Sequence, residues 1–232
     1  MLQSDRRVNV NKNKISENGP LNGQLSARIA VDTGTQKWTS SPSGTVWRKR
    51  VHRVGPAESG QVTSVVRYEP GATFPPHDHP GGEEILVLEG VFSDEHGDWP
   101  AGTYLLNPEG FRHAPFSRDG CVLWVKLRQY PGANRLQLQL NSNDLDWLAG
   151  PISGISARQL YEQAGYTERM RLEKWQPETS NVVRRWDEGV EIFVLRGSLQ
   201  DDDELYDTGT WLRLPPGSEQ QLATTTGCEV YI

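Results

Sequence analysis

The chain repeats itself, and that constrains its fold more than any other feature. Shifted by 107 residues, EEILVLEG (83–90) falls on VEIFVLRG (190–197), and GTYLLNPEG (102–110) falls on GTWLRLPPG (209–217). At the same offset Gly120-Cys121 meets Gly227-Cys228 and Pro70 meets Pro177. Upstream, Trp38-x3-Pro42 resembles Trp147-x3-Pro151, with a small difference in length between. An ungapped match of this extent makes the chain two copies of one structural unit. The seam falls near 131–146, where PGANRLQLQLNSNDLD turns polar.

The unit is built of strands. VTSVVRYEP, EEILVLEG, GTYLLNPEG, CVLWVKL, RMRLEKW, EIFVLRG and GTWLRLPPG are short apolar runs broken by turn residues roughly every ten positions, the pattern of an all-β sandwich or barrel. With 23 Gly and 15 Pro in 232 residues, turn formers are plentiful enough for such a fold. One segment, SARQLYEQAG at 156–165, reads as a helix candidate. Residues 1–25 are polar and aperiodic and read as a tail or arm, leaving 26–135 and 136–232 as the two units.

Charge and composition remove several classes of function. A net charge of -6 gives no electrostatic footprint for nucleic acid or an anionic membrane. There is no run of eighteen apolar residues and no signal-peptide core in MLQSDRRVNVNKNKISENGP, so a soluble, cytoplasmic protein is expected. The two cysteines, Cys121 and Cys228, are far apart and form neither a disulfide framework nor a CxxC zinc knuckle. They occupy equivalent strand starts, as small buried residues would.

The chemistry concentrates in PGATFPPHDHPGGEEILVLEG (70–90). His77 and His79 have the period-two spacing that places two side chains on one face of a strand. Pro80-Gly81-Gly82 supplies a bend before Glu83, and His113 follows 34 residues after His79. Imidazole is a common neutral metal ligand and a carboxylate adds charge compensation. Three histidines and one glutamate brought together by neighbouring strands would hold one divalent transition metal: zinc or iron first, with manganese, nickel or copper open. Glu84 competes with Glu83 for the fourth place, although strand parity favours Glu83.

Gly71-x5-His77-x-His79-x3-Glu83-x6-Gly90 matches the first cupin motif, and Gly102-x5-Pro108-x-Gly110-x2-His113 the second, which ends here in Ser117 rather than the usual Asn. The wider phrase HDHPGGEEILVLEGVFSDEHGDWPAGTYLLNPEGFRHAP resembles the ChrR-like cupins, a group that includes the sensory domain of an anti-sigma factor and cupin dioxygenases that cleave acetylacetone and dihydroxyacetophenones. The resemblance implies two tandem double-stranded β-helix (jelly-roll) domains, a bicupin. It implies His77, His79, Glu83 and His113 as metal ligands, with Glu83 also the candidate proton acceptor in catalysis. It implies a small-molecule ligand or substrate near the metal. Two functions stay open: a sensory or ligand-binding module, and an iron dioxygenase acting on a small diketone or hydroxy-ketone. A cupin isomerase or sugar-binding protein is a weaker third. The zinc-binding segment of the anti-sigma factors has no counterpart, since no His-x3-Cys-x2-Cys occurs. Jelly-roll edges leave a homodimer open.

The second copy keeps the framework and drops the ligands. His77 becomes Arg184, His79 becomes Trp186, Glu83 becomes Val190 and His113 becomes Gln220, while Gly197, Gly209, Pro215 and Gly217 remain. A metal-free second barrel is expected, with Trp186 filling the vacated space; an anion site at Arg184 and Arg185 is the weaker alternative. His96 and the acidic run at 201–204 read as solvated turns, and His52 has no assigned role. Phe74, Ile85, Val87, Tyr104 and Trp124 are the candidates for an apolar lining near the metal.

Overall fold

The computed structural model describes residues 19–132, 134–202 and 204–232. Among these the chain is almost entirely β, with one 3-10 turn, Ser142–Asp144, and no α-helix. Two ten-stranded antiparallel sheets dominate. The main path of the first runs through Leu138–Asn141, Thr103–Asn107, Glu83–Asp94, Cys121–Leu127, Gln61–Tyr68, Val46–Val54 and Thr39–Ser40. That of the second runs through Ile29–Asp32, Thr210–Leu214, Val190–Gln200, Cys228–Tyr231, Arg169–Trp175, Ile155–Glu162 and Leu148–Ala149. Each step of one path has its counterpart in the other, so the sequence repeat is a structural one.

The two halves trade strands. Ile29–Asp32 pairs with Thr210–Leu214 of the second half, with Val31 opposite Trp211. Reciprocally, Leu138–Asn141 pairs with Thr103–Asn107 of the first, with Leu140 opposite Tyr104. The hydroxyls just beyond each guest strand behave alike: Thr33 Oγ1 donates to the Gly209 carbonyl at 2.8 Å, and Ser142 Oγ to the Gly102 carbonyl at 2.7 Å. Each barrel wall is thus completed by backbone from the other repeat, which satisfies strand groups that would otherwise form an open edge.

Strand alternation divides the apolar side chains among three cores. Ile85, Val87, Leu105, Leu123 and Val125 point into the first barrel. Ile192, Val194, Leu212, Leu222 and Val230 point into the second. The intervening residues Leu86, Tyr104, Trp124, Phe193, Trp211 and Tyr231 form a third core where the two sheets face each other. Trp124 stacks on Phe193 with ring centres 4.2 Å apart and 16° between planes. Lys126 and Glu191 pair across this interface at 2.8 Å.

Gly90 and Gly197 mark one constraint shared by both copies. Each has positive φ (71° in both), and a Cβ on either would strike a neighbouring carbonyl oxygen, that of Gly120 or Gly227. Only glycine meets both demands, so these positions survive in the half that has lost its histidines. Cys121 and Cys228 sit beside them, buried, with burial pushing the thiols up to about 11 and about 12.

The helix expected at 156–165 is a strand. Ile155–Glu162 pairs with Arg169–Trp175, and a register shift between Gln159 and Tyr161 puts Leu160 and Tyr161 side by side in the core. That bulge breaks the period of two and mimics a helical pattern. Of the N-terminal tail, residues 1–18 lie outside the described residues. The part that follows is docked: Leu21 bridges Arg53, and Arg213 of the second half donates to the Gln24 carbonyl at 2.9 Å. His52 is buried here, its Nδ1 3.1 Å from the Asn22 carbonyl and 3.3 Å from Arg213.

Candidate metal centre

Three short elements of the first barrel converge. His77 lies on the two-residue strand His77–Asp78, which pairs with Arg112–His113 so that His77 sits opposite His113. His79 follows at the mouth of a tight loop, its amide donating to the Phe111 carbonyl at 2.8 Å. The Pro80-Gly81-Gly82 bend then carries the chain to Glu83. Gly82 has positive φ, and a Cβ there would sit 2.8 Å from the Tyr130 carbonyl oxygen. The bend therefore needs glycine, and it delivers Glu83 back beside His79.

One ring nitrogen of each of His77, His79 and His113 lies within 4.8 Å of the other two. The His79 and His113 Nε2 atoms are 2.9 Å apart, and Glu83 Oε2 lies 3.5 Å from each. His79, Glu83 and His113 are buried and His77 is half-buried. Outer contacts set the ring orientations. His77 Nδ1 donates to the Pro75 carbonyl at 2.9 Å, and His113 Nδ1 donates to Asp94 Oδ2 at 3.0 Å. Both rings are thereby left with an Nε2 lone pair. Converging lone pairs repel one another unless a cation or a proton lies between them, so the donor set suits a metal ion.

The local electrostatics follow from burial and charge. Burial holds His79 below the ordinary histidine value, with the charges of His113, His77 and Arg128 acting in the same direction and Glu83 opposing. For His113 burial also acts downward, but the Asp94 hydrogen bond and the charges of Glu83 and Asp94 outweigh it, and its pKa is raised. Burial pushes Asp94 up, yet hydrogen bonds from His113, the His96 amide and Trp99 hold its carboxyl below the usual range. Asn107, 2% exposed, donates to Glu83 Oε2 at 3.1 Å.

Glu84 does not compete with Glu83. It points to the other face of the strand, into the interface between the halves, where Tyr130 and Tyr231 donate hydrogen bonds to its carboxyl. Burial raises its pKa there.

His77 and His79 open onto a cavity of about 310 Å3, with His113 buried behind them. His77, His79 and Glu83 line one part of it, and Val66, Tyr68, Phe74, Ile85, Phe92 and Leu123 supply apolar wall. Of the expected lining, Phe74 and Ile85 are present. Val87 is buried in the same barrel core but lies outside this cavity wall. Tyr104 and Trp124 face the opposite way, in the row that contains Leu86 and packs on the second half. His96 is exposed, as expected, against Phe111.

The second barrel fills the corresponding space. Arg184, where His77 would be, pairs with buried Glu173 at 2.9 Å, and Trp175 and Arg171 also donate to Glu173. Arg185 pairs with Asp187, so the carboxylates of this half claim both arginines. Trp186 and Val190 pack against the barrel core. Asp201, the counterpart of Asp94, accepts from Gln220, the counterpart of His113, at 2.6 Å. It is not a solvated turn residue: its side chain is 6% exposed and also pairs with Arg28 at 2.8 Å. Asp94 and Asn107 went unrecognised in the sequence, though the recurrence of Asp94 as Asp201 at the repeat offset was a signal for the first.

The fold and its arrangement define the class: a bicupin, two β-barrels of one design. Residues 26–131 and 137–232 match the ChrR cupin-like domain, and the chain belongs to that family. None of the curated proteins matches the chain. Similar solved structures include a Nostoc punctiforme protein provisionally assigned as a dioxygenase (16% identity, 89% of this chain and 81% of that one, TM-score 0.73). They also include Ylba from E. coli (12%, 90% and 91%, 0.67) and the E. coli pirin YhhW in complex with nickel(II) (16%, 88% and 97%, 0.65). At these identities the likeness is one of fold. No helix among the described residues is long and apolar enough to cross a membrane.

Proposed function

We propose that the protein is a ligand-binding ChrR-like bicupin in which His77, His79, His113 and Glu83 hold one divalent transition metal at the floor of a small-molecule site, and that it acts as a sensory or regulatory module. The observation that carries this reading is the position of the histidine group: three imidazoles and a carboxylate meet, and His77, His79 and Glu83 of that group line a mostly apolar cavity of about 310 Å3. A structural ion needs no such access.

A bound divalent ion supplies Lewis acidity toward a chelating pair of ligand oxygens. The residues of the chain do the rest. Asp94 fixes the His113 ring, Asn107 fixes the Glu83 carboxylate, and Tyr68, Phe74 and Phe92 exclude water from the approach. Glu83, 3.5 Å from two of the rings, is placed to accept a proton from an acidic C–H of a diketone or hydroxy-ketone.

The same cavity supports a second reading, a dioxygenase that cleaves such a ligand; the fold neighbour from Nostoc punctiforme is provisionally assigned as a dioxygenase. Two measurements decide. Addition of 2,4-pentanedione to cobalt(II)-loaded protein should shift the visible absorption bands of the metal, and an unchanged spectrum removes the small-molecule site. Oxygen uptake by the iron(II)-loaded protein with β-diketones or hydroxyacetophenones should be absent for a sensory module, and sustained turnover makes it an enzyme.

A further inference from the structure

The mouth of the first-barrel cavity carries three cationic or anionic groups whose partners are fixed, and one whose partner is missing. Arg48 is paired with Glu58 at 2.7 Å, and Glu58 is shared with Arg50 at 3.0 Å. Asp78 is paired with Arg112 at 3.1 Å. Arg128 lines the same cavity and has no carboxylate partner among the described residues; its one polar side-chain contact is a long bond to the Gly60 carbonyl, at 3.4 Å.

Arg128 is also held in place at a cost. It adopts φ of 59°, a left-handed conformation unusual for a residue with a long side chain. Its amide donates to the Gly82 carbonyl at 2.9 Å, and its Cα lies 3.2 Å from where a Gly81 Cβ would be. The arginine is therefore clamped onto the very bend that separates His79 from Glu83. A guanidinium near His79, lining a mostly apolar cavity whose other charged groups are already paired or belong to the metal centre, is suited to hold a carboxylate in two parallel hydrogen bonds.

We propose that Arg128 selects the ligand of this site: a compound with a metal-chelating end, a short apolar stem and a carboxylate that pairs with the guanidinium. This rests on the metal-site reading above and deepens it by naming the ligand class. The volume of about 310 Å3 suits a molecule of that size. Arg48 cannot take the role, because Glu58 neutralises it.

The test uses matched β-diketones on the metal-loaded full chain, followed by calorimetry. The acids are 4,6-dioxoheptanoate and its homologue 5,7-dioxooctanoate; their neutral counterparts are 2,4-heptanedione and 2,4-octanedione. At least one acid should bind at least about tenfold more tightly than its counterpart, and Arg128→Gln should abolish that preference while Arg128→Lys keeps part of it. Metal content is measured on the same samples. If wild-type protein holds no metal, the metal-site reading fails first. If metal is held and neither acid is preferred, or the preference survives Arg128→Gln, the role of Arg128 is wrong and the metal site stands.

Discussion

The two barrels are the same framework with different contents, and each serves as a control for the other. At His77/Arg184, His79/Trp186, Glu83/Val190 and His113/Gln220 the first has donor atoms and the second has an ion pair, an indole, an aliphatic side chain and an amide. At Gly90/Gly197 and Asp94/Asp201 the two agree. Positions that shape the backbone are common to both halves, whereas positions that aim imidazole into the cavity belong to one. In the second barrel a half-buried Arg184 pairs with buried Glu173, and Trp186 packs against the barrel core, so side chains without metal-donor pairs stand where the first barrel has its site.

The comparison breaks most sharply at the histidines. Replacing His77 and His79 by Ala should abolish metal binding, whereas Arg184→Ala should leave the metal content of the protein unchanged; elemental analysis of both variants checks this, and metal retention by the first would overturn the assignment. Next comes the aspartate pair. Asp94→Asn keeps a hydrogen-bond acceptor for the His113 ring but removes the charge, so metal affinity should fall about 10- to 100-fold. Asp201→Asn should leave affinity unchanged and lower stability by about 1–3 kcal/mol through its contacts to Arg28 and Gln220. A competitive chelator titration and a urea melt separate these outcomes.

The glycines should show the halves to be alike. Gly90→Ala and Gly197→Ala each place a Cβ against a carbonyl at positive φ, and each should cost about 1–3 kcal/mol in denaturant unfolding. A cost confined to one barrel would contradict a shared framework. The smallest effect is in pH dependence. A raised folded pKa means that charged His113 stabilises the metal-free protein fully below about pH 6.5, and that this contribution is lost as the pH climbs through the folded value. Metal needs the neutral rings, so affinity should decline as pH falls, beginning above pH 6.5 with His113 and only later with His79, whose pKa is depressed. Asp94→Asn should move that onset downward, and a titration flat through this range would argue against imidazole ligands.

Much of this was legible in the sequence because the motif residues sit on tight turns whose spacing fixes where their side chains go. The repeat announced two barrels, and the loss of all four donors from the second copy marked it as different. Tyr104 and Trp124 were assigned to the wrong face because both faces of their sheet are apolar: one lines a barrel and the other packs on the second half, so hydropathy could not choose between them. Cross-strand register does choose, since both are neighbours of Leu86. Strand exchange was hidden for a related reason, as Ile29–Asp32 and Leu138–Asn141 find partners more than 30 positions away in the chain. The false helix at 156–165 came from a bulge that places two adjacent side chains inward.

The central claim is that one barrel holds metal and the other does not. Elemental analysis of the full chain, purified without added metal and again after reconstitution with zinc or iron(II), tests it most directly. The account predicts about one transition metal ion per chain. Two per chain would contradict the division between the barrels, and none after reconstitution would contradict the site itself.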